Sequence, residues 1–373
     1  MKIRAAVLHE PRRVSIEEVE LDAPKADEVL VRVAAAGVCR SDLHLVEGLL
    51  GAGRWPMVLG HEGAGVVEAV GERVTHVRPG DRVVFCIIPS CGACRACRSG
   101  RPSLCGPAGE RGVKGMLMDG SSRLRLPDGT LLQHGLMTAC FAERTVVMAA
   151  GALPLHAEIP LWQAALVGCS VVTGLGAVRN AAHVRIGESV CVIGCGGVGL
   201  HVVSGARLAG AARIVAVDRS PEKLELARRH GATDTVEANG RTAARVLKLT
   251  GGGVDHAFEV IGIPETIRQA WDVLRPGGTA TVVGVAARGA EVSLPAIEFM
   301  SEKTIKGCYY GSGSVAAELP DVVQLVVQGR LELADVVSDF VSLDRVNDAL
   351  DRLRTGEGGR TVVVLDRDLA GVP

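Results

Sequence analysis

Ser189 to Gly199 reads SVCVIGCGGVG, and the fold of the middle of the chain turns on it. A short apolar run, of strand length, enters Gly194-Cys195-Gly196-Gly197-Val198-Gly199, a G-x-G-x-x-G turn that opens a helix. Glycines at this spacing permit a tight turn, a close approach of backbone N–H groups to a pyrophosphate, and close packing of helix on strand. The next apolar run, Arg213 to Asp218, ends on a carboxylate 19 residues after Gly199. An acid there accepts hydrogen bonds from ribose hydroxyls and repels a 2′-phosphate, which favours NAD over NADP. Arg219 beside it weakens that preference.

Working outward, Val254 to Val260 and Thr279 to Val283 are further strand candidates, with helical segments between them. One is Pro221 to His230, with Ser220 as N-cap, Pro221 at the first helical position and Gly231 at its end. Strand–helix alternation predicts a doubly wound parallel sheet, an α/β domain over residues 171–309. Residues 1–170 read differently. Val29 to Ala35, Ala64 to Val70 and Arg82 to Ile88 are short apolar runs broken by turns such as Pro79-Gly80-Asp81, the pattern of an irregular β-barrel. Residues 310–373 hold amphipathic helical segments and a last strand, Arg360 to Leu365, predicted to complete the first domain. A chain of 373 residues exceeds one ordinary core, which agrees with two domains.

A net charge of -1 and 3% aromatic residues supply neither the field nor the stacking surface that nucleic acid requires. The N-terminal MKIRAAVLHEPRR lacks the apolar core of a signal peptide, and Val190 to Ala206 is too glycine-rich to span a bilayer. A cytoplasmic protein with no membrane partner is expected. The 11 cysteines are then thiols, and four of them, Cys91, Cys94, Cys97 and Cys105, fall in one 15-residue window. Two-residue gaps let successive sulfurs converge on one ion, with Gly92, Gly100 and Pro102 keeping the loop tight. Four thiolates close a tetrahedral zinc shell and leave no open position, so the ion would be structural. An iron–sulfur cluster is the rival, although the spacing departs from ferredoxin runs.

Three further stretches are ambiguous taken singly: Cys39-Arg40-Ser41-Asp42-Leu43-His44, Gly60-His61-Glu62-Gly63 and Gly168-Cys169. A lone cysteine is usually a small buried hydrophobe, and spacing alone does not join positions 39, 61 and 169. Their order is informative. CRSDLH, GHEGAG, CGACRACRSGRPSLC, GCGGVG, the EVIG run at Glu259 to Gly262 and the closing GEGGRTVVV together resemble the zinc-dependent medium-chain alcohol dehydrogenases, end to end. The resemblance is nearest to the liver-type alcohol dehydrogenases and thiol-dependent formaldehyde dehydrogenases. It implies a Rossmann coenzyme domain beside a GroES-like β-barrel catalytic domain, and an enzyme moving a hydride between an alcohol and NAD at zinc.

The same resemblance places a catalytic zinc on Cys39, His61 and Cys169, with a fourth position for water or substrate oxygen. It makes Ser41 the acceptor of the alcohol proton and His44 its relay to solvent. Asp42 would orient His61, and Glu62 would lie behind the metal. Arg40 and Arg360 would contact the cofactor pyrophosphate, and Thr173 and Val198 would back the nicotinamide. By position the substrate pocket should include Leu50, Ile87, Gly135, Leu136, Val285 and Tyr309. Ile87 and Gly135 stand where bulkier residues are common in liver-type enzymes. That predicts a roomy apolar pocket for bulky or aryl alcohols.

An alternative substrate is an S-hydroxymethyl thiol, the formaldehyde adduct. Leu50 stands where glutathione-dependent members carry an acid, for which Glu47 is a poor substitute. The basic stretch with Arg111, Lys114, Arg123 and Arg125 could hold a thiol's carboxylates, but is expected to be solvated. A non-catalytic nucleotide-binding protein on the same fold is the alternative from another class. Retention of the three ligand types and Ser41 argues against it. A homodimer or homotetramer is expected from the resemblance.

Overall fold

The computed structural model describes residues 1–50 and 55–373. The chain separates into two compact units, Met1–Ser170 with Ser314–Pro373, and Val171–Gly313.

In the first unit, five strands close a barrel in the order Lys2–Glu10, Arg13–Leu21, Leu124–Arg125, Leu131–His134, Met57–Val58. A second sheet runs Ala152–Pro154, Arg82–Phe85, Glu62–Val70, Glu28–Gly37, Arg360–Val364, Val337–Ser342, with Arg144–Met148 also paired to Glu28–Gly37. Glu28–Gly37 is buried at nine of its ten positions, as a strand covered on both faces requires. Its register with Glu62–Val70 sets Gly37 opposite Glu62, so Cys39 and His61, just beyond that pair, leave the same end of the sheet. Arg360–Val364 adds antiparallel to Glu28–Gly37, which ties the C-terminal residues into this unit. The expected strand from Arg82 to Ile88 stops at Phe85, and the chain then turns toward Cys91. Phe85, Phe141, Leu59, Val31 and Val363 are among the fully buried side chains of the main core.

The second unit is built on a six-stranded sheet in the order Asp234–Glu237, Arg213–Asp218, Ser189–Ile193, Val254–Glu259, Leu274–Val282, Thr304–Gly307. Every neighbouring pair is parallel. The chain runs outward from Ser189–Ile193 on one side and resumes on its other side at Val254–Glu259. That reversal opens a crevice at the strands' carboxyl ends, where dinucleotides bind in such sheets. Helix Pro221–His230 forms as its caps dictate. The Ser220 hydroxyl accepts from Lys223 N, and Gly231 takes a left-handed φ of 114°.

One feature has no forerunner in the sequence. Leu161–Ala182 is helical throughout and apolar enough to cross a membrane, yet 83% of its most apolar window is buried within the protein, as in a core helix. Two of its turns, Val167–Val171 and Ala177–Ala182, are π-helical. Cys169 lies in the first, and π turns recur at functional sites.

Candidate active site

Cys39 caps helix Arg40–Val46 in extended conformation. Three residues on, the Asp42 carboxylate folds back, and its Oδ2 accepts from Cys39 N at 3.1 Å. Its other oxygen, Oδ1, lies 2.9 Å from Nδ1 of His61. One buried carboxylate thus braces two of the three expected metal ligands and fixes Nδ1 as the protonated nitrogen. Nε2 is left facing Cys169, whose Sγ is 3.4 Å away. The ligand atoms of Cys39, His61 and Cys169 all lie within 4.8 Å of one another and all three residues are buried. A tetrahedral zinc with ordinary Zn–S and Zn–N bonds sets sulfur and nitrogen about 3.6 Å apart, so the donors fit the ion.

The electrostatics agree. Burial opposes a charge on His61, but the neighbouring Asp42 overcomes it and raises the imidazole to about 10. The hydrogen bond from Cys169 holds the Cys39 thiol well below its ordinary range against burial, and the same contact, aided by burial, holds Cys169 well above it. Metal binding requires these thiols as thiolates and the imidazole with Nε2 unprotonated, a state that Asp42 at Nδ1 favours.

Behind the ligands, Glu62 is completely buried. Its Oε1 accepts from Ser170 N at 2.9 Å, which ties the strand that follows His61 to the π turn carrying Cys169. Its Oε2 forms an ion pair with Arg360, itself 7% exposed. The sequence suggested neither contact. Arg40 is exposed on the first turn of its helix. Ser41 Oγ lies 4.0 Å from Cys39 Sγ. His44, three residues further and half-buried, shares the helix face of Ser41. Burial first, and then the Arg40 charge, lower its pKa.

The four-cysteine lobe is assembled as expected, with the sulfurs of Cys91, Cys94, Cys97 and Cys105 mutually within 4.8 Å. Cys91 N donates to Cys105 Sγ at 3.3 Å and Cys94 N to Cys91 Sγ at 3.4 Å. Backbone N–H groups of Cys97 and Gly106 bring the Cys94 thiol down to about 6, while burial and the contact with Cys94 push Cys97 up to about 12.

In the second unit the three glycines divide their work. Gly194 adopts φ 101°, and a Cβ on Gly199 would lie 1.8 Å from the Gly194 carbonyl oxygen. A Cβ on Gly196, the N-cap of helix Gly197–Leu208, would meet nothing within 4 Å. That open cradle at a helix N-terminus fits a pyrophosphate. Asp218 ends its strand half-buried, accepting from Cys195 N at 2.7 Å and Ser220 N at 2.9 Å, with Arg219 exposed beside it. Thr173 and Val198 come from neighbouring helices. A Cβ on Gly174 would lie 2.7 Å from the Val198 carbonyl oxygen. Glu259, at the head of the EVIG run, is fully buried, and its Oε1 accepts from Ile261 N, Gly262 N and Thr266 Oγ1 at 2.7 to 2.9 Å. It thereby shapes the loop whose Ile261 side chain rests on Gly194.

Two expectations need correction. Gly135 does not widen a pocket, because a Cβ there would meet the Val58 carbonyl oxygen at 2.6 Å. The absent side chain lets two backbones approach. Arg123 is not solvated. It is 3% exposed, and its guanidinium pairs with Glu28 at 2.6 Å and Asp119 at 2.7 Å. Arg125 pairs with Asp22 and Lys114 with Glu110. Of the other pocket candidates, Leu50 and Leu136 pack half-buried against the core of the first unit, and Ile87 is 9% exposed. Val285 and Tyr309, in the second unit, are 42% and 49% exposed.

Comparison with known proteins agrees with this architecture. The sequence profile described as "Alcohol dehydrogenase GroES-like domain" matches residues 25–157, and that described as "Zinc-binding dehydrogenase" matches residues 197–328. An S-(hydroxymethyl)glutathione dehydrogenase from Photobacterium damsela subsp. piscicida is 40% identical over 368 residues, 97% of this chain and 100% of that protein. Among solved structures, an alcohol dehydrogenase zinc-binding domain protein from Burkholderia ambifaria superposes with a TM-score of 0.93 at 35% identity, covering 98% of this chain and 100% of that one. Benzyl alcohol dehydrogenase from Acinetobacter calcoaceticus gives 0.91 at 31%, covering 98% and 99%. A chain from Sinorhizobium meliloti 1021, described as a zinc-binding dehydrogenase and bound to NADP, gives 0.79 at 27%, covering 98% and 99%.

Proposed function

Since the chain belongs to the zinc-dependent medium-chain alcohol dehydrogenases, oxidoreductases that use zinc and a nicotinamide dinucleotide, we propose that it interconverts a bulky apolar or aryl alcohol and its aldehyde or ketone with NAD. The observation that carries this reading is the convergence of Cys39, His61 and Cys169 with Asp42 bridging two of them. When bound there, zinc supplies Lewis acidity to the substrate oxygen.

The chain's own residues do the rest. Asp42 holds His61 in the tautomer that presents Nε2. Ser41 accepts the alcohol proton, and His44, on the same helix face, passes it to solvent. Its lowered pKa keeps the ring neutral and able to accept near pH 7. Arg40 at the helix start is free to reach a phosphate. Arg360 would serve there while anchored to Glu62. Bound at the Gly194–Gly199 turn, NAD would supply the hydride acceptor, and Ser41 would take the alcohol proton while giving its own to His44, which would release it to solvent. Asp218 favours NAD over NADP by charge.

Gly135 faces backbone and adds no pocket volume. Ile87, Leu50 and Leu136 still offer only apolar surface. The name of the Photobacterium relative favours a second reading, oxidation of an S-hydroxymethyl thiol. The burial of Arg123 removes one candidate anchor for a thiol's carboxylates. We further propose a cytoplasmic homodimer or homotetramer. Strand Thr304–Gly307 is an open sheet edge, and Ile297, Phe299 and Met300 beside it in sequence are exposed.

A panel of alcohols and aldehydes with NAD and NADP, with and without added thiols, tests the assignment. Benzyl alcohol should exceed ethanol in kcat/KM with no thiol present. A clear ethanol preference removes the bulky class, and activity only with a thiol adduct establishes the second reading. Metal analysis should give two zinc ions per chain. One ion would leave only the four-cysteine site.

A further inference from the structure

Building on the zinc assignment at Cys39, His61 and Cys169, we infer that Thr138 is a positioning residue for the metal, acting through the peptide that joins Gly60 to His61. Gly60 has a φ of +93°, and a Cβ on it would fall 2.3 Å from Phe141 N, so glycine alone lets these two backbones touch. Across that contact the Gly60 carbonyl takes two donors, Cys140 N at 3.0 Å and the Thr138 hydroxyl at 2.9 Å. Phe141 N donates to Leu59 O at 2.9 Å. A carbonyl and the following N–H share one planar peptide. Donors on Gly60 O therefore fix the plane from which the His61 side chain departs. Asp42 fixes the ring at Nδ1, 2.9 Å away. The imidazole is held from its backbone and from its far edge together.

Two features mark the hydroxyl as more than a filler of the core. Thr138 is fully buried, and its own carbonyl accepts from Thr145 Oγ1 at 2.5 Å, so the donor is presented from a fixed backbone. The hydroxyl also has a local acceptor, Gly135 O, but at 3.4 Å that contact is the longer one. The second feature is strain. Leu136, Met137 and Ala139 have φ of 48°, 65° and 50°, three non-glycine residues in left-handed backbone around Thr138. Such conformations persist where surrounding contacts over-determine them, and they gather at functional sites. Here Thr138 N and Ala139 N both donate to Gly135 O, at 3.2 and 3.1 Å. The strained stretch and the metal loop are thus one hydrogen-bonded unit, with Thr138 as its side-chain link.

The test compares Thr138→Val, which keeps the shape and loses the donor, with Thr138→Ser, which keeps the donor. Each protein, fully loaded with zinc, is challenged with a chromophoric chelator, and the four-cysteine ion serves as internal reference. In Thr138→Val one ion of the two should leave about 10- to 100-fold faster, the range for outer partners of metal ligands. The other should leave at the wild-type rate, and Thr138→Ser should restore both. Cobalt placed in the faster site should show shifted ligand-field bands in the valine variant and wild-type bands in the serine variant. Wild-type release of both ions from Thr138→Val, acceleration of both ions together, or a serine variant that behaves like valine would overturn the inference. If Thr138→Val does not fold, Thr138→Ala carries the same comparison, and failure of both to fold also overturns it. Fewer than two ions in the wild-type protein is a different result, which removes the catalytic zinc assignment itself.

Discussion

A methyl group on residue 199 would sit 1.8 Å from the Gly194 carbonyl oxygen, whereas one on residue 196 would meet nothing. The two positions therefore separate packing from ligand approach. Gly199→Ala must push the helix off the strand, at about 1–3 kcal/mol, and should lower both the melting temperature and NADH affinity. Gly196→Ala, with φ near −74°, should melt like the wild type and yet bind NADH at least about tenfold more weakly, because its methyl occupies the cradle. Equal melting and equal affinity in the second variant would place the dinucleotide elsewhere. At Asp218, replacement by Asn keeps one acceptor of the two that serve Cys195 N and Ser220 N and removes the charge. The ratio of kcat/KM for NAD over NADP should fall about tenfold or more, with a stability loss of about 1 kcal/mol. An unchanged ratio would mean that Asp218 only shapes the turn. These positions were visible in the sequence because a glycine motif encodes its own backbone geometry.

Elements were less legible than residues. Strand runs and the capped helix Pro221–His230 declare themselves through period and punctuation, and the motif order supplied the three ligand types. The π turn at Val167–Val171, which sets Cys169 opposite His61, leaves no periodic trace, since one extra residue in a turn does not alter composition. The Arg111-to-Arg125 stretch looked solvated because its charges are close in sequence, while Glu28, the partner that buries Arg123, is 95 residues away. Gly135 misled for a related reason. Its neighbour is backbone from another strand, which substitution patterns do not reveal. The Arg123 cluster has a pH signature. Burial works against charge on Asp119, but hydrogen bonds from Lys25, Ser121 and Arg123 outweigh it and leave its pKa depressed. A depressed carboxylate contributes stability that is complete above its unfolded value of about 4 and disappears as pH falls through the lower folded value. Asp119 is partly exposed, so solvent screening limits that contribution to about 1 kcal/mol. Asp119→Asn should be less stable than the wild type by that amount at pH 7 in urea melts, and the difference should close as pH falls from about 5 toward 2. A difference independent of pH would show that the pairing does not act through charge.

On the scale of the whole molecule, the two zinc sites should respond differently to metal removal, because one is embedded in a core and the other holds its own loop together. Cys39, His61 and Cys169 are buried at the end of a sheet beside fully buried core side chains such as Phe85, Phe141 and Val363. Between Cys91 and Cys105 nearly every side chain is exposed or half-exposed, and only Ser103 and Cys105 are buried. No apolar core of its own opposes the entropy of that loop, so the metal–sulfur bonds must. Arg95 and Arg98 place two trypsin sites inside it, the Arg101–Pro102 bond being resistant to trypsin. Trp162, edge-on to Phe340 at 5.2 Å, and Trp271, fully buried in the sheet unit, lie one in each core, and the half-buried Trp55 packs against the first. Prolonged chelation should therefore expose a single tryptic region within residues 91–105 while the emission of both buried tryptophans stays at its native wavelength, and cleavage should stop when zinc is restored. Replacing Cys97 with Ser should reproduce the cleavage without chelator. Loss of tryptophan burial in step with cleavage would mean that the four-sulfur ion stabilises the fold globally, and resistance to trypsin after both ions are gone would mean that the lobe needs no metal.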